Sequence, residues 1–235
     1  LTSGVQRWPP CSQSRLEHIV SVVIPFSQAL RERTAAVHSD TEGSAFITEL
    51  LSGKRSKDDY IAIVGQLYFV YEALEAVAEL LKTDAVATAF ISPKLTRLPA
   101  LEADLAFLVG DDWRETVTPL PATERYVTRI HEMAFWPGGF VAHHYTRYLG
   151  DLSGGQIIRT LLQRQFGFET NGVGFYIFAE IAKPTPFKDA YRAELDALGW
   201  DEAERSSVIE EANTAFRLNA DLFADLAATT AVAAA

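Results

Sequence analysis

The sequence predicts an all-α, single-domain protein, on three observations. Apolar residues recur in steps of three and four. No alternating strand pattern runs beyond four or five residues. Ser, Asp, Pro and Gly stand where helices start and stop. At 235 residues, with 48% apolar and 22% charged side chains, the composition is that of a globular chain.

The elements follow in order. Residues 1–24 carry Trp8-Pro9-Pro10, the only Cys (Cys11) and no sustained period. We read them as an atypical extension outside the fold, with disorder as one reading of it. Residues 25–228 form the domain, and 229–235 a small, low-complexity tail expected to fray. Ser27 can start a helix to about Asp40, and Ser44 a short one that stops at Gly53. Ser56, with Asp59 three residues on, resembles a capped start. The stripe behind it is Ile63, Leu67, Val70, Tyr71, Leu74, Val77 and Leu81. A helix is expected over Pro93–Leu108, interrupted near Pro99. Pro121-Ala122-Thr123-Glu124 opens another, closed by Trp136-Pro137-Gly138-Gly139. Phe140–Phe166 reads as helical with a glycine cluster in its middle. Phe187–Leu198 and Asp201–Leu226 complete the set, the last with Asp201 as cap.

Several functions are disfavoured. Acidic residues outnumber basic ones 31 to 21, a net charge of −10, so no nucleic-acid partner is expected. A single Cys excludes a disulfide framework or multi-Cys metal site. No apolar run is expected to approach the ~20 residues of a membrane span, Ile19–Pro25 being the nearest candidate, and a cytoplasmic protein is expected.

The most informative stretch is Tyr145–Gln156, with three glycines in six residues. Each costs roughly 1 kcal/mol against Ala in a helix interior. Either another helix packs closely on Gly150 and Gly154, or a flat ligand lies against bare backbone. Asp151 sits at the edge of that surface, where it is either solvent-facing or able to hold a water beside a ligand. His143 and His144 point about 100° apart on a helix and cannot share one metal. His38 has Glu42 four residues on, the spacing of an imidazole whose second nitrogen is held by a carboxylate, although many surface pairs share it. Arg31 lies two turns before His38, and Lys188 and Arg192 share a face. These cations are either solvated or gathered round a carboxylate-bearing ligand.

Taken together, these segments resemble heme oxygenase from about Ser27 to Leu226. The resemblance is strongest in Val141–Gln156 (VAHHYTRYLGDLSGGQ). Thr34–Glu42 (TAAVHSDTE), Leu67–Glu75 (LYFVYEALE), Phe187–Arg192 (FKDAYR) and Phe216–Phe223 (FRLNADLF) support it. It implies a fold that sandwiches heme b between a proximal helix and a kinked distal helix, most similar to the shorter bacterial members without a membrane anchor. It implies His38 as iron ligand, held by Glu42, and Gly150, Gly154 and Gly155 as distal glycines. It implies Asp151 as anchor of an ordered water, and Tyr71, Arg147 and Asn219 as its hydrogen-bonding companions. Tyr145, Lys188 and Arg192 would hold the propionates, together with Arg31, where the family commonly has Lys. The implied activity is cleavage of heme by O2 to biliverdin, CO and ferrous iron. Heme would be both substrate and cofactor. No flavin or nicotinamide motif is present, so electrons are expected from an external reductase or ferredoxin. A non-catalytic heme carrier on the same fold, a thiamine-processing helical enzyme and a purely structural bundle compete with this reading. The second would want a Cys nucleophile in a core helix, and Cys11 lies outside the helical region.

Overall fold

In the computed structural model, which describes residues 24–233, the capping pair at Ser56 sets the central helix. Ser56 Oγ accepts from the Asp59 backbone N–H at 3.1 Å, and Asp59 accepts from the Ser56 N–H at 2.8 Å. Two otherwise orphaned donors are thereby satisfied. Helix α3 (Lys57–Leu80) follows, with its expected stripe buried: Tyr71, Leu74, Val70 and Val77 expose no surface. By length and composition α3 is apolar enough to cross a membrane. An uninterrupted-run criterion passes over it because Glu72 and Glu75 break the run. Its burial among the other helices marks it as the core helix of the fold.

Around α3 stand α1 (Phe26–Glu42), α2 (Ala45–Leu51), α4 (Leu98–Leu108), α5 (Trp113–Thr116), α6 (Pro121–Glu132), α7 (Pro137–His144), α8 (Gly154–Phe166), α9 (Pro184–Ala197) and α10 (Glu202–Ala233). The described residues contain no strand. Helix α3 packs on α6 and α4, while α10 packs on α1, α7 and α6. Asp201 caps α10 as expected, accepting from the Glu204 N–H at 2.8 Å. Helix α10 runs past Leu226 to Ala233. Residues 1–23 lie outside the described residues, and with them nearly all of the expected extension.

Four boundaries differ from the sequence reading for a local reason, and others shift: α9 begins at Pro184 rather than Phe187, and α10 ends at Ala233 rather than Leu226. Helix α1 starts at Phe26 rather than Ser27, because Ser27 is tied by its backbone N–H and its hydroxyl to Asp196 of α9. Pro99 sits in the first turn of α4 instead of interrupting a longer helix; the break lies before it, after a short 3₁₀ turn at Pro93–Leu95. Trp136-Pro137-Gly138-Gly139 closes nothing at its glycines. Trp136 is extended and Pro137 opens α7, so both glycines lie inside that helix. A Cβ on Gly138 would come within 3.0 Å of Val208 Cγ2, so this glycine lets α7 press on α10, while a Cβ on Gly139 would run into the Met133 and Trp136 side chains. Finally, the helix after α7 is not uniform. Tyr145–Leu149 forms a π-helical turn, and the chain bends at Leu152–Ser153 before α8 begins.

The adjacent histidines are structural. His143 Nε2 faces Glu211 Oε1 at 2.8 Å, and His144 Nδ1 faces the Tyr191 hydroxyl at 2.9 Å. Burial pushes the His144 imidazole down to about 3. The unfolded chain, with an ordinary histidine near 6.5, therefore takes up a proton that the fold refuses. Stability is lost as pH falls from about 6.5 toward 3. Melting curves of the heme-free chain should show Tm falling across pH 6.5–4.5, and a His144→Gln variant should show a shallower fall. Parallel curves would remove His144 as the cause.

Candidate functional site

The bend after the π turn exposes backbone. A Cβ added to Gly150 would meet nothing within 4 Å, and one on Gly154 would find only Glu42 Oε1 at 3.9 Å. These two glycines are not helix-packing glycines, unlike Gly138. They present bare main chain to a cleft whose opposite wall is α1. Gly155 is different: its Cβ would stand 3.1 Å from the Tyr176 ring, so its smallness serves packing against that side chain, although it also borders the cleft.

The cleft is a slot that is only partly enclosed. Its walls come from α1 (His38, Thr41, Glu42), the distal bend (Arg147, Gly150, Asp151, Gly154) and α10 (Phe216, Asn219, Phe223). Apolar side chains of α2 and α3, among them Leu50, Ile63 and Leu67, close its inner end. A second hollow continues the cleft to the surface. It shares His38, Glu42, Gly150 and Gly154 and adds Arg31, Tyr145 and Arg192. The result is an apolar slot with one imidazole on one side, bare backbone on the other, and cations at the mouth.

His38 is placed by its neighbours. One ring nitrogen lies 3.3 Å from Glu42 Oε1, one helical turn on. The ring meets Phe216 edge-on, with centroids 5.1 Å apart. Thr41 ties α1 to α10 by donating to Val37 O and Phe216 O. The imidazole side chain is 43% exposed, so it is available to a ligand in the slot. A nitrogen held by Glu42 leaves the other as a potential metal ligand.

On the opposite wall a polar network is buried. The Tyr71 hydroxyl donates to Asp151 Oδ2. Arg147 Nε donates to the same hydroxyl at 3.3 Å, and its Nη1 donates to Asn219 Oδ1 at 2.8 Å. Arg147 Nη2 lies 3.9 Å from Asp151 Oδ1. Burial raises the Asp151 carboxyl above its ordinary range, while Arg147 and the Tyr71 hydrogen bond pull it down. Burial and Asp151 together hold the Tyr71 phenol protonated, with Arg147 opposing. Asp151 thus has one oxygen engaged by Tyr71 and a second, Oδ1, with no hydrogen bond among the described residues.

The mouth carries the cations. Arg31 is exposed, with no ion-pair partner among the described residues. Arg192 pairs with Asp189 at 2.8 Å. Lys188 does not border the hollow; its Nζ donates to Ser153 Oγ at 2.9 Å, at the bend itself. Tyr145 is half-buried; its burial raises its phenol, and the charges of Arg192 and Arg31 draw it back. Of the thirteen residues that the sequence reading assigns to the site, eleven line this cleft or its outer hollow, and Tyr71 and Lys188 are each one hydrogen bond away, through Asp151 and Ser153. The structure adds Phe216, Phe175 and Tyr176, to none of which the sequence reading gave a place in the site.

Comparison with known proteins finds matches over most of the chain. A family model described as Heme oxygenase matches residues 24–225. Human heme oxygenase 1 is 42% identical over 204 residues, which span 85% of this chain and 71% of that protein. Heme oxygenase 1 of the cyanobacterium Synechocystis is 38% identical over 204 residues, 86% of this chain and 85% of the relative. A crystal structure of heme oxygenase-1 from Synechocystis in complex with heme superposes with a TM-score of 0.83 at 36% identity. It covers 90% of this chain and 98% of that one.

Proposed function

The chain belongs to the heme oxygenase family, and on that premise we propose how its own residues carry the reaction. Heme, at once substrate and cofactor, lies in the slot between His38 and the bare backbone of Gly150 and Gly154. The observation that carries this reading is the missing Cβ at those two glycines: one added at Gly150 would meet open space, and one at Gly154 only the end of the Glu42 side chain across the cleft. The residues fit the group: a half-exposed imidazole with a carboxylate behind it, an apolar slot, and cations where two carboxylates would emerge.

In this reading one nitrogen of His38 holds the iron and Glu42 accepts the proton of the other, fixing a neutral imidazole. Arg31, Arg192 and Lys188, with the Tyr145 hydroxyl, grip the propionates. Such a rim is needed because the chain as a whole is acidic. Arg31 presents a planar fork where a Lys would present a point charge, a group able to meet a carboxylate with two N–H donors. When bound, heme supplies the oxidation chemistry, using dioxygen and electrons from an external reductase or ferredoxin. The protein supplies geometry and protons. Bare backbone over the ring directs the oxidant toward the ring edge. The free Oδ1 of Asp151 anchors a water that delivers protons to the reacting oxygen, and Tyr71 and Arg147 keep that carboxylate in place. A cytoplasmic location belongs to the same reading, since a diffusible donor must reach the cleft.

Hemin added to the chain, followed by a reductant and air, should yield a green product identified as biliverdin, with release of iron. A stable red-brown complex would mark a heme carrier and overturn the enzymatic reading. The glycine reading has its own test. Gly150→Leu should leave the heme-free Tm unchanged or higher, because removing a helical glycine relieves roughly 1 kcal/mol. Hemin loading by that variant should be strongly impaired. Normal loading would show that the ring lies elsewhere.

A further inference from the structure

The wall behind Asp151 is a non-helical segment, Val173–Phe178, whose only regular element is a 3₁₀ turn at Gly174–Tyr176. Such a segment has few internal hydrogen bonds to fix it. Here two buried charges from elsewhere in the chain do so. Arg97, 6% exposed, sends Nη1 to the carbonyls of Phe175 (3.1 Å) and Ile177 (2.8 Å), and Nε to Leu95 O at 3.0 Å. Its guanidinium also lies 4.0 Å over the Phe178 ring. Asp104, 2% exposed, accepts from the Gly174 N–H at 2.9 Å and the Phe175 N–H at 2.8 Å. Neither residue forms an ion pair among the described residues. A buried guanidinium spent on carbonyls and a buried carboxylate spent on amides suit a fixed backbone far better than they suit mere stability.

What that backbone carries is the distal site. The Phe175 ring meets Tyr71 edge-on at 5.1 Å. Tyr176 fills the space beside Gly155. Gln156 Nε2 donates to Tyr176 O at 2.8 Å, tying the start of α8 to the same segment. Tyr71 and the bend at Gly150–Gly155 are the two features that place the Asp151 carboxylate.

We propose that Arg97 and Asp104 are positioning residues for the distal site: they clamp the 173–178 wall and, through Phe175, Tyr176 and Gln156, set where Asp151 stands over the ring. Neither touches the cleft. The inference rests on the heme oxygenase reading of the cleft and deepens it.

The test compares the wild-type chain with Arg97→Met and Arg97→Lys. Lys keeps the charge but lacks the Nε–H that reaches Leu95 O and the planar face that covers Phe178, so it serves as the gentler variant should Met not fold. In the heme-free protein, amide exchange over 173–178 and 150–156 should accelerate about tenfold, while α1 exchanges as before. In the hemin-loaded ferric protein, binding affinity should hold. The pH midpoint of the visible spectrum reports hydrogen bonding on the Asp151 side, and it should move by about half a unit or more. Biliverdin yield should fall about tenfold or more. Unchanged exchange and an unmoved spectral midpoint in a folded variant would overturn the proposal. So would faster exchange spread over the whole chain with lost hemin affinity, which is what general destabilisation gives. A wild-type chain that makes no biliverdin would instead sink the reading of the cleft, and the exchange data would still decide the clamp.

Discussion

Asp151→Ala should bind hemin with near wild-type affinity and yet form biliverdin about a hundredfold more slowly, the scale of a positioned proton donor. The separation follows from geometry. Asp151 contributes nothing to the proximal contact of His38 or to the cationic mouth, so binding survives. Its loss removes the acceptor of the Tyr71 hydroxyl and the charge partner of Arg147, both buried. The orphaned phenol can then take up a new partner, including water, while Arg147 keeps Asn219, and neither restores an anchor at the same point. Asp151→Asn keeps the shape and an acceptor for Tyr71 but not the charge, and should fall between the two. Reductase-driven turnover with hemin titration in parallel measures both quantities. Undiminished biliverdin from the Ala variant would contradict the water-anchoring role.

His38→Ala should change the loaded protein most visibly. Without the imidazole the iron has no other ring nitrogen to bind in the cleft. His143 and His144 are wholly buried and engaged with Glu211 and Tyr191, and neither borders the slot. The absorption spectrum of the hemin complex should shift. Affinity should drop by more than the roughly 10- to 100-fold that loss of a ligand's hydrogen-bonding partner typically costs. Glu42→Gln, which weakens that partner and keeps the ligand, should fall within that smaller range. An unchanged spectrum in His38→Ala would assign the iron to another side chain.

Much of this was legible in the sequence where one residue type has one physical use. The Ser56–Asp59 pair and the Asp201 cap gave their helix starts, because each satisfies backbone donors locally. The α3 stripe was legible because burial follows helical period. The glycine cluster left two readings open, helix packing or ligand, and only coordinates separate them, since Gly138 and Gly150 look alike as letters and have opposite surroundings. The wall at Phe175 and Tyr176 was not legible, nor was the clamp formed by Arg97 and Asp104. Their partners are backbone atoms about 80 and 70 residues further along the chain, which no local pattern encodes. Lys188 reads as one of a pair with Arg192 on one helical face. In the structure it reaches Ser153, and only its distance from the bend explains why.

The most direct measurement is a crystal structure of the hemin-loaded chain. It should show iron bound by a ring nitrogen of His38, the main chain of Gly150 and Gly154 against the other face, and the propionates at Arg31, Lys188 and Arg192. Iron held by any other side chain, or a ring seated outside the slot between α1 and the distal bend, would contradict it.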